Sequence, residues 1–515
     1  MSDGSIPEDD PPLTEQPWLA QDLDDRRLAK AVSPTDVAEP AASGAYQLVV
    51  LGGGATGLVV AASAASLGAR VALVERTALG GDCLLTGCVP SKALLAAARR
   101  AHAVRTAGAY GVQLQGGFQV DFAAVMQRMR RVRADMAPVD SVERFTGLGV
   151  DVYQGHGRFV ARDRLEVGYR TLQFRSAVLA TGGRASVPPI PGLHDIPFHT
   201  HASIFNLRTL PSSLMILGAG AIGCELAQAF ARFGSRVVLV ERGPRVLPSL
   251  DPEAALLLTR ALESDGVRVL TDATVERFSP TSSGFEAVLS GADAAVSATT
   301  LLLAVGREPV VGGLGLEKAG VQTHPERGVW VDEFLRTTNP RIWAAGDCAM
   351  PHHFTHVADA TARIAVQNAL FPKQRSASDL VIPSCVYTDP EVGRVGRGLA
   401  ELRDEAIPFE VLSVDFHDVD RARLDGRVRG FARVYVRAGT DRILGAVVTG
   451  VGAGELMGTL SLAVTHEIGL EKFSTTVFPY PTRAEVLRKL GDAWRRRQLT
   501  SEAQKALSIW FRLRS

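Results

Sequence analysis

The sequence predicts an α/β protein with two repeated, Rossmann-like units followed by a smaller C-terminal α+β domain. Residues 47–75 and residues 214–241 each show an apolar strand, a glycine-rich turn, a helix and a second apolar strand, an order typical of a βαβ unit. Strand-like stretches at 431–436 and 443–449 indicate an antiparallel sheet flanked by helices. Because 515 residues are too many for one hydrophobic core, several domains are expected.

Charge and hydropathy exclude several classes of protein. The 56 basic and 55 acidic side chains nearly balance, so no charge excess predicts binding to nucleic acid or to an anionic membrane. No apolar run reaches the roughly 18 residues that a membrane span needs, and the N-terminus lacks a secretory signal pattern. Five cysteines are few for a secreted protein built on disulfides. We expect a cytoplasmic protein with no nucleic-acid partner and no membrane partner.

The first 45 residues differ in composition from the rest of the chain. They are rich in Pro, Asp, Glu, Ala and Ser and show little apolar pattern, which predicts a disordered N-terminal extension. A short amphipathic piece at 18–28 could dock elsewhere in the protein, although the sequence names no partner for it.

The first glycine-rich turn follows one apolar strand and opens a helix. In this context Gly52 permits a tight turn, Gly54 lets a pyrophosphate approach the backbone, and Gly57 lets helix and strand pack closely. Glu75 ends the next strand and would accept hydrogen bonds from a ribose. A glycine-rich turn without a ligand is the alternative interpretation.

The same unit returns later in the chain, with its glycines at Gly218, Gly220 and Gly223. Both copies end in Glu-Arg, so this is an internal repeat of a whole module. Two dinucleotide sites imply two dinucleotides, and the obvious pair is FAD with NADH or NADPH. Glu241 favours NADH because a carboxylate repels a 2′-phosphate, whereas Arg242 and Arg245 leave NADPH open.

Two cysteines, Cys83 and Cys88, lie in a glycine-rich stretch just before an apolar helix. A disulfide needs Cα atoms within about 7 Å, and five residues of straight helix already rise about 7.5 Å. A bridge therefore requires a bent first turn, which Gly87 and Pro90 would supply. The helix start would lower a thiol pKa and favour the thiolate. Two buried cysteines or half of a zinc site are the alternatives, but no second cysteine pair follows at zinc spacing, so no metal site is assigned.

The two repeated helices differ at one position. Where the first has Val59, the second has Glu225 near its N-terminus. A surface carboxylate that gains from the helix dipole is one interpretation. The other pairs Glu225 with Lys92 at the flavin, where the two charges would compensate each other in a partly buried site.

With these motifs, residues 46 to 495 resemble the class I flavin-dependent pyridine nucleotide–disulfide oxidoreductases, which include dihydrolipoamide dehydrogenase, glutathione reductase and mercuric reductase. Residues 80–92 look like the family's redox motif, 345–347 like its flavin ribityl-binding segment, and 387–391 like the entry to its dimerisation domain.

The resemblance implies a role for each matching residue. Cys83 would be the interchange thiol that meets the substrate, and Cys88 the thiol that lies against the flavin. Lys92 would sit near the reactive flavin nitrogen with Glu225. The flavin would be lined by Gly157, Asp347 and Thr355. The nicotinamide cofactor would be lined by Gly306.

The resemblance also implies a domain plan and a homodimer in which the C-terminal domain completes the partner's active site. The expected segments are a disordered extension at 1–45, an FAD-binding domain at 46–190 and 310–375, an NAD(P)-binding domain at 191–309, a dimerisation domain at 376–495 and a tail at 496–515.

The chain departs from disulfide-reducing members at the C-terminal His-Pro-Thr motif. Tyr480 stands where the histidine should be, while the later Glu485 is present. A phenol has a reference pKa of about 10, so it is a poor proton shuttle compared with an imidazole. Mercuric reductases resemble this chain in having tyrosine there, although the chain lacks their N-terminal Cys-x-x-Cys domain and their C-terminal vicinal cysteines. Simple packing of Tyr480 at the interface is the alternative.

These inferences combine into one hypothesis. The protein is a homodimeric flavoenzyme that carries electrons from NADH or NADPH through FAD to Cys83 and Cys88. The electron acceptor is a small molecule or a metal ion, with Hg(II) or a similar thiophilic acceptor preferred. A dihydrolipoamide dehydrogenase, another disulfide reductase or a quinone reductase is the enzymatic alternative, and a flavin-bound redox sensor is the alternative of another class.

Overall fold

The computed structural model describes residues 19, 22–36, 40, 44–291 and 295–514 of the chain. The chain divides into two compact units. Unit 1 comprises Met1–Gly218, Ala229–Val240 and Ala273–Asp379, and unit 2 comprises Ala219–Gln228, Glu241–Asp272 and Leu380–Ser515. The domain boundaries expected from the sequence stay a prediction.

The helices, in chain order, are α1 Leu23–Val32, α2 Ala55–Ser66, α3 Gly81–Leu85, α4 Cys88–Arg105, α5 Phe122–Met136, α6 Val142–Gly147, α7 Ala221–Phe233, α8 Pro252–Ser264, α9 Leu316–Ala319, α10 Thr355–Leu370, α11 Leu399–Asp404, α12 Asp420–Leu424, α13 Ala453–Thr465, α14 Leu470–Thr475, α15 Glu485–Gln498 and α16 Ser501–Arg514.

The strands, in chain order, are β1 Tyr46–Leu51, β2 Val71–Glu75, β3 Val150–Gln154, β4 Gly157–Ala161, β5 Arg164–Val167, β6 Arg170–Leu179, β7 Gly183–Ala185, β8 Phe198–His199, β9 Ser213–Leu217, β10 Arg236–Val240, β11 Arg268–Leu270, β12 Thr274–Thr281, β13 Gly284–Ser290, β14 Val296–Ala298, β15 Thr300–Leu303, β16 Arg307–Pro309, β17 Thr323–His324, β18 Gly328–Val329, β19 Ile342–Ala344, β20 Ser384–Val386, β21 Glu391–Gly396, β22 Phe409–Asp415, β23 Phe431–Arg437 and β24 Ile443–Gly450.

Unit 1 is built on a parallel sheet in the order β3-β2-β1-β6, with β19 added beside β6. The central strand β1 pairs in parallel with β2 and β6, so Leu48 lies between Val71 and Ser176. Its apolar side chains are buried because helices cover a parallel sheet of this kind on its faces. A second parallel set in unit 1 runs β10-β9-β15-β8. Both predicted βαβ units are therefore present, and the predicted α/β fold class is confirmed.

Unit 2 contains an antiparallel sheet in the order β20-β21-β24-β23-β22. Every residue of the central strand β24 is buried. Apolar side chains of α13 and α15, such as Leu460 and Leu487, pack into the same core as this sheet. An antiparallel sheet with helices packed against it is the α+β arrangement that the sequence predicts for the C-terminal part.

The prediction of disorder over residues 1–45 is wrong for residues 23–32, which form a helix. Residues 23–32 form α1, capped by the Asp22 side chain, which accepts a hydrogen bond from the Asp25 backbone N–H at 2.9 Å. Leu28 and Val32 are fully buried because a four-residue spacing places both on one face of a helix. The amphipathic piece at 18–28 overlaps this helix, but composition predicts disorder, because two buried apolar residues in an acidic background do not change it. Trp18, which begins the amphipathic piece, lies outside the described residues.

The C-terminal tail is helical. Helix α16 follows α15, and within the described residues none of its side chains is buried. Trp510, Phe511 and Leu513 are exposed together with basic residues of the same helix. None of the helices in the described part of the chain has both the length and the apolar character to cross a membrane.

The close approach of α2 to β1 gives a first prediction. A Cβ on Gly57 would lie 1.8 Å from the Gly52 carbonyl oxygen, so we expect Gly57→Ala to force the two elements apart. Overpacking of this kind costs about 1–3 kcal/mol, and thermal unfolding followed by circular dichroism should show a Tm lowered by several degrees.

Gly147→Ala is the matched control, because a Cβ at Gly147 meets no described atom within 4 Å. It should leave the Tm nearly unchanged. An equal Tm for the two variants would contradict the close approach.

Candidate active site

The redox segment, residues 80–92, breaks between its two cysteines. Cys83 lies in α3, and Cys88 is the first residue of α4. A Cβ on Gly87 would lie 2.6 Å from the Asp82 carbonyl oxygen, so only glycine fits at the break. Pro90 lies in the first turn of α4, where its missing N–H removes no helical hydrogen bond. The helix is therefore interrupted between the thiols, as a bridge would require, with Gly87 at the break and Pro90 beyond it.

The two cysteines are not joined in a disulfide, and Cys83 is half-buried whereas Cys88 is exposed. The hydrogen bond with Cys88 and then burial raise the pKa of the Cys83 thiol well above its ordinary value. The expected lowering of the thiol pKa is therefore wrong for Cys83. The physical reason is that the hydrogen bond with the second sulfur and burial both favour the protonated thiol. The Cys88 Sγ also lies 3.2 Å from Thr355 Oγ1, at the start of α10.

A cluster of charged groups flanks the redox segment. Arg307 contacts the carboxylate of Asp82, donates to the Gly183 carbonyl at 2.8 Å and places its Nε 3.3 Å from an Asp347 carboxylate oxygen. Its Nη1 also lies 3.1 Å from His201 Nε2. Desolvation alone would raise the pKa of Asp82, but the contact with His201 and the positive charge of Arg307 lower it well below its usual range. Asp82 therefore stays ionised next to Cys83.

Arg307 and His201 are residues that the sequence analysis missed. Arg307 follows the predicted cofactor residue Gly306, and its strand β16 pairs with β7, which places it beside Gly183. Nothing in the sequence pairs it with Asp82, 225 positions away. Its place directly after a glycine at a strand end was the available signal. Asp347 lies in the short helix after β19 and shares this cluster; its role toward the flavin stays a prediction.

The acid of each repeat closes its own glycine turn. Glu75 accepts hydrogen bonds from the backbone N–H groups of Gly53 at 2.6 Å and Thr77 at 2.7 Å. In the second copy Glu241 accepts from Ala219 and from the residue two positions after the acid, both at 2.8 Å. The two copies therefore match in hydrogen bonds as well as in sequence.

The glycine turns have the shape that a dinucleotide needs. Gly52 and Gly218 have φ values of 108° and 100°, and a Cβ on them would lie 2.3 and 2.5 Å from carbonyl oxygens of a neighbouring segment. By contrast, a Cβ on Gly54 would come no closer than 3.7 Å to a described atom, and one on Gly220 would meet none within 4 Å. Gly220 thus faces open space and Gly54 only an ordinary van der Waals contact, and both lie at a helix start, the kind of position where phosphate groups bind. Gly223 lies in the first turn of α7.

The other predicted cofactor residues have diverse surroundings. Gly157 is buried, and a Cβ there would lie 2.6 Å from Leu51 Cδ1, so it allows close packing in the core. Gly306 has a φ of 133°, in the region that favours glycine. Lys92 is half-buried in α4. The roles of these three residues toward a cofactor stay predictions.

Glu225 is buried in unit 2 and accepts a hydrogen bond from the Tyr387 backbone N–H at 2.9 Å. The interpretation as a surface carboxylate is therefore wrong. Tyr387 begins the segment that resembles the entry to the dimerisation domain, so Glu225 ties α7 to that segment. Its pairing with Lys92 stays a prediction.

Tyr480 and Glu485 differ in exposure. Tyr480 is 72% exposed, and its hydroxyl donates to Asp420 at 3.1 Å. This hydrogen bond raises the pKa of Tyr480 further above neutrality. Glu485 is buried at the start of α15, where Oε1 lies 3.0 Å from Arg488 and 3.4 Å from Lys489. Its Oε2 is buried and has no hydrogen-bond partner among the described residues.

Among the residues that the structure describes, no group of three or more His, Cys, Asp or Glu side chains is arranged to hold a metal ion. Within unit 1, Cys83, Cys88 at the start of α4 and the ionised Asp82 lie in one short segment, an arrangement that is suited to thiol-based redox chemistry.

Comparison with known proteins identifies the class. Residues 46–369 match the pyridine nucleotide-disulphide oxidoreductase family, and residues 382–490 match its dimerisation domain. The chain belongs to this family. It is a flavoprotein disulfide reductase of the mercuric reductase and lipoamide dehydrogenase class, whose members bind FAD and NAD(P)H in general.

The relatives carry two different names, mercuric reductase and dihydrolipoyl dehydrogenase. The chain is 34% identical to a mercuric reductase of Streptomyces lividans over 451 residues, 86% of this chain and 95% of the relative. It is 32% identical to the mercuric reductase of Acidithiobacillus ferrooxidans over 500 residues, 93% of this chain and 89% of that one. A dihydrolipoyl dehydrogenase of Thermus scotoductus is 33% identical over 459 residues, 87% of this chain and 97% of the relative.

Solved structures show the same fold. The Cu(II) complex of the HOCl-induced flavoprotein disulfide reductase RclA from Escherichia coli has a TM-score of 0.78 at 28% identity, covering 88% of this chain and all of that one. LpdA from Mycobacterium tuberculosis has a TM-score of 0.79 at 25% identity, covering 88% of this chain and 99% of that one.

The raised pKa of Cys83 gives a second prediction. Thiolate is the reactive form, so Cys83 in the reduced protein should react slowly with iodoacetamide at pH 7 and faster as the pH rises. Removing the largest cause in Cys88→Ala should lower the pKa and move the rate profile of Cys83 to lower pH. Mass spectrometry of the labelled Cys83 peptide measures the rate at each pH.

Cys385→Ala should leave this profile unchanged, since Cys385 lies in unit 2 and is not a cause of the Cys83 shift. Superimposable profiles for the native protein and Cys88→Ala would refute the role of the hydrogen bond with Cys88.

Proposed function

We propose that this protein is an NAD(P)H-dependent FAD oxidoreductase that uses Cys83 and Cys88 to reduce Hg(II) or another thiophilic acceptor. It works as a homodimer through its dimerisation domain. The observation that supports this acceptor class is a reachable thiol pair combined with Tyr480 where disulfide-reducing relatives use histidine. A soft metal ion needs two thiolates, and no thiol leaving group has to be protonated when it is reduced.

The glycine turns, Asp347 and the two thiols have different roles in this reaction. When bound, FAD reduced by the nicotinamide cofactor supplies the two electrons that convert Hg(II) to Hg(0). The two glycine turns and Asp347 would hold the dinucleotides. Cys83 and Cys88 bind the metal ion as thiolates and release their protons to water, because metal binding to thiols displaces protons.

Asp82 is adjacent to Cys83 in sequence, and its carboxylate is kept ionised by the ion pair with Arg307. Because the two charges compensate each other, the acceptor preference rests on the thiol pair and Tyr480 rather than on Asp82. Glu241 favours NADH, because its buried carboxylate would face the 2′-phosphate of NADPH.

Disulfide reduction is the second candidate function. It is favoured by the 33% identity to a dihydrolipoyl dehydrogenase and by the buried Glu485, which matches the acid that follows the His-Pro-Thr motif. The Cu(II) complex recorded for RclA supports a thiophilic metal instead.

A panel of electron acceptors gives the third prediction. We expect NADH oxidation with Hg(II), presented with excess small thiol, to exceed that with lipoamide, oxidised glutathione or a quinone by at least about tenfold. Because the metal ion is reduced while both thiolates hold it, Cys83→Ser should abolish the Hg(II) reaction, while Cys385→Ser should retain it. Absorbance of the nicotinamide at 340 nm measures every rate.

Faster turnover with lipoamide would overturn the acceptor assignment and favour the second candidate. A Cys83→Ser variant as active as the native protein would overturn the thiol pathway itself. Long-lived reduced flavin without turnover on any acceptor would favour a redox sensor.

Tyr480 gives the fourth prediction. A positioned general acid contributes about 10²–10⁴-fold, so Tyr480→His should raise lipoamide reduction by at least about tenfold, with a pH optimum near neutrality. Tyr169→His is the matched control, because Tyr169 is also exposed, at 82%, and lies on a turn between β5 and β6. Steady-state kcat/KM for lipoamide from pH 5.5 to 8.5 provides the comparison. No gain in Tyr480→His would show that the phenol is not what limits disulfide substrates.

A further inference from the structure

The N-terminal helix packs in unit 1 through a buried ion pair. Asp25 on α1 and Arg133 on α5 lie 2.7 Å apart, and their side chains are 1% and 0% exposed. Asp22 forms a second pair with Arg130 one turn away on α5. Breaking a buried pair leaves an uncompensated charge, which is strongly unfavourable. This contact therefore holds α1 on α5 in one position.

The same arginine reaches the redox segment. Arg133 donates from its other terminal nitrogen to the Leu85 carbonyl at 2.8 Å. Leu85 is the last residue of α3, between the two cysteines, and a helix-end carbonyl has no partner within its own helix. The buried Asp25 carboxylate orients the guanidinium that satisfies this carbonyl. One polar chain thus runs from the N-terminal helix to the break between Cys83 and Cys88.

The end of α1 holds the approach to the redox segment as well. The Val32 carbonyl accepts from the Leu79 backbone N–H at 2.9 Å. The Ser33 hydroxyl donates to the Thr77 carbonyl at 2.8 Å. Residues 77–79 lead directly into Gly80 and Gly81, which have positive φ values, and the Gly80 backbone N–H donates to the Gly53 carbonyl at 2.9 Å. Residues 22–33 therefore bind the redox segment on both sides of Cys83.

We propose that residues 22–33 form a clamp that positions the redox segment and thereby sets the thiol–disulfide equilibrium of Cys83 and Cys88. Asp25 and Arg133 are positioning residues that act through the Leu85 carbonyl. The inference rests on the proposed electron path through the thiols and deepens it. The equilibrium is the reduction of one disulfide by two electrons and two protons to two thiols, with a dithiol such as dithiothreitol as the reductant.

The direction of the effect follows from geometry. A disulfide forms only when the two sulfurs approach to about 2.05 Å, so holding the segment with its thiols in contact favours the bridge. Releasing the clamp lets the thiols separate and favours the dithiol. We expect Asp25→Asn to shift the thiol–disulfide equilibrium constant toward the dithiol about tenfold, which is about 30 mV for a two-electron couple.

The experiment is a redox titration of the full-length, FAD-loaded protein in buffers of reduced and oxidised dithiothreitol. Free thiols are trapped with a maleimide, and mass spectrometry gives the reduced fraction of the Cys83–Cys88 peptide. Asp135→Asn is the matched control, because Asp135 also pairs α5 with α1, through Arg27 at 2.8 Å, but is 55% exposed. Exposed pairs contribute little, so this variant should titrate like the native protein.

Ser33→Ala is the second variant, and it decides the outcome if Asp25→Asn does not fold. It removes only the hydrogen bond to Thr77 and should shift the equilibrium in the same direction by about two- to threefold. Equilibria equal to that of the native protein in the variants that fold, even with a lowered Tm, would overturn the clamp and leave α1 a structural element. Because no acceptor is present, a failure of the Hg(II) assignment does not alter this result.

Discussion

Two thiols five positions apart meet only where the helix between them is interrupted, and the rest of the site is arranged around that interruption. A Cβ on Gly87 would overlap the Asp82 carbonyl, at 2.6 Å, so the chain ends α3 and restarts at Cys88. The break exposes a carbonyl at Leu85, which Arg133 satisfies at 2.8 Å. Asp82, in the short helix before the break, contacts Arg307. Both contacts therefore lie next to the interruption of the helix.

The charges near the break are balanced in pairs. Arg307 joins Asp82 and Asp347, two carboxylates from segments far apart in the chain. Arg133 is fully buried but lies against Asp25. Buried charges are tolerated only when they are paired and hydrogen-bonded, so these arginines fix the positions of the segments that they connect. The reactive thiol pair therefore lies next to segments that these ion pairs hold in place.

The predictable parts of the structure are local in sequence. The β1–α2–β2 unit has its strand, glycine turn and acid within thirty positions, so pattern and spacing reveal it, and the same holds for β9, α7 and β10. The missed contacts are long-range: Asp25 and Arg133 are 108 positions apart, and Arg307 and Asp82 are 225 apart. The sequence predicts a lowered thiol pKa from the helix start, and this is wrong for Cys83 because the hydrogen bond between the two sulfurs and the burial that raise its pKa are not visible in sequence.

The acids of the two repeats, Glu75 and Glu241, have one more consequence. Glu241 holds the backbone amide of Ala219 with one oxygen and that of Gly243 with the other, as Glu75 does for its own turn. A carboxylate oxygen has lone pairs left for a ribose hydroxyl, so under the proposed function the acid that would discriminate between coenzymes also stabilises its own glycine turn. Replacing it to change coenzyme preference would loosen that turn at the same time. Coenzyme selectivity and the conformation of the glycine turn would therefore depend on the same side chain.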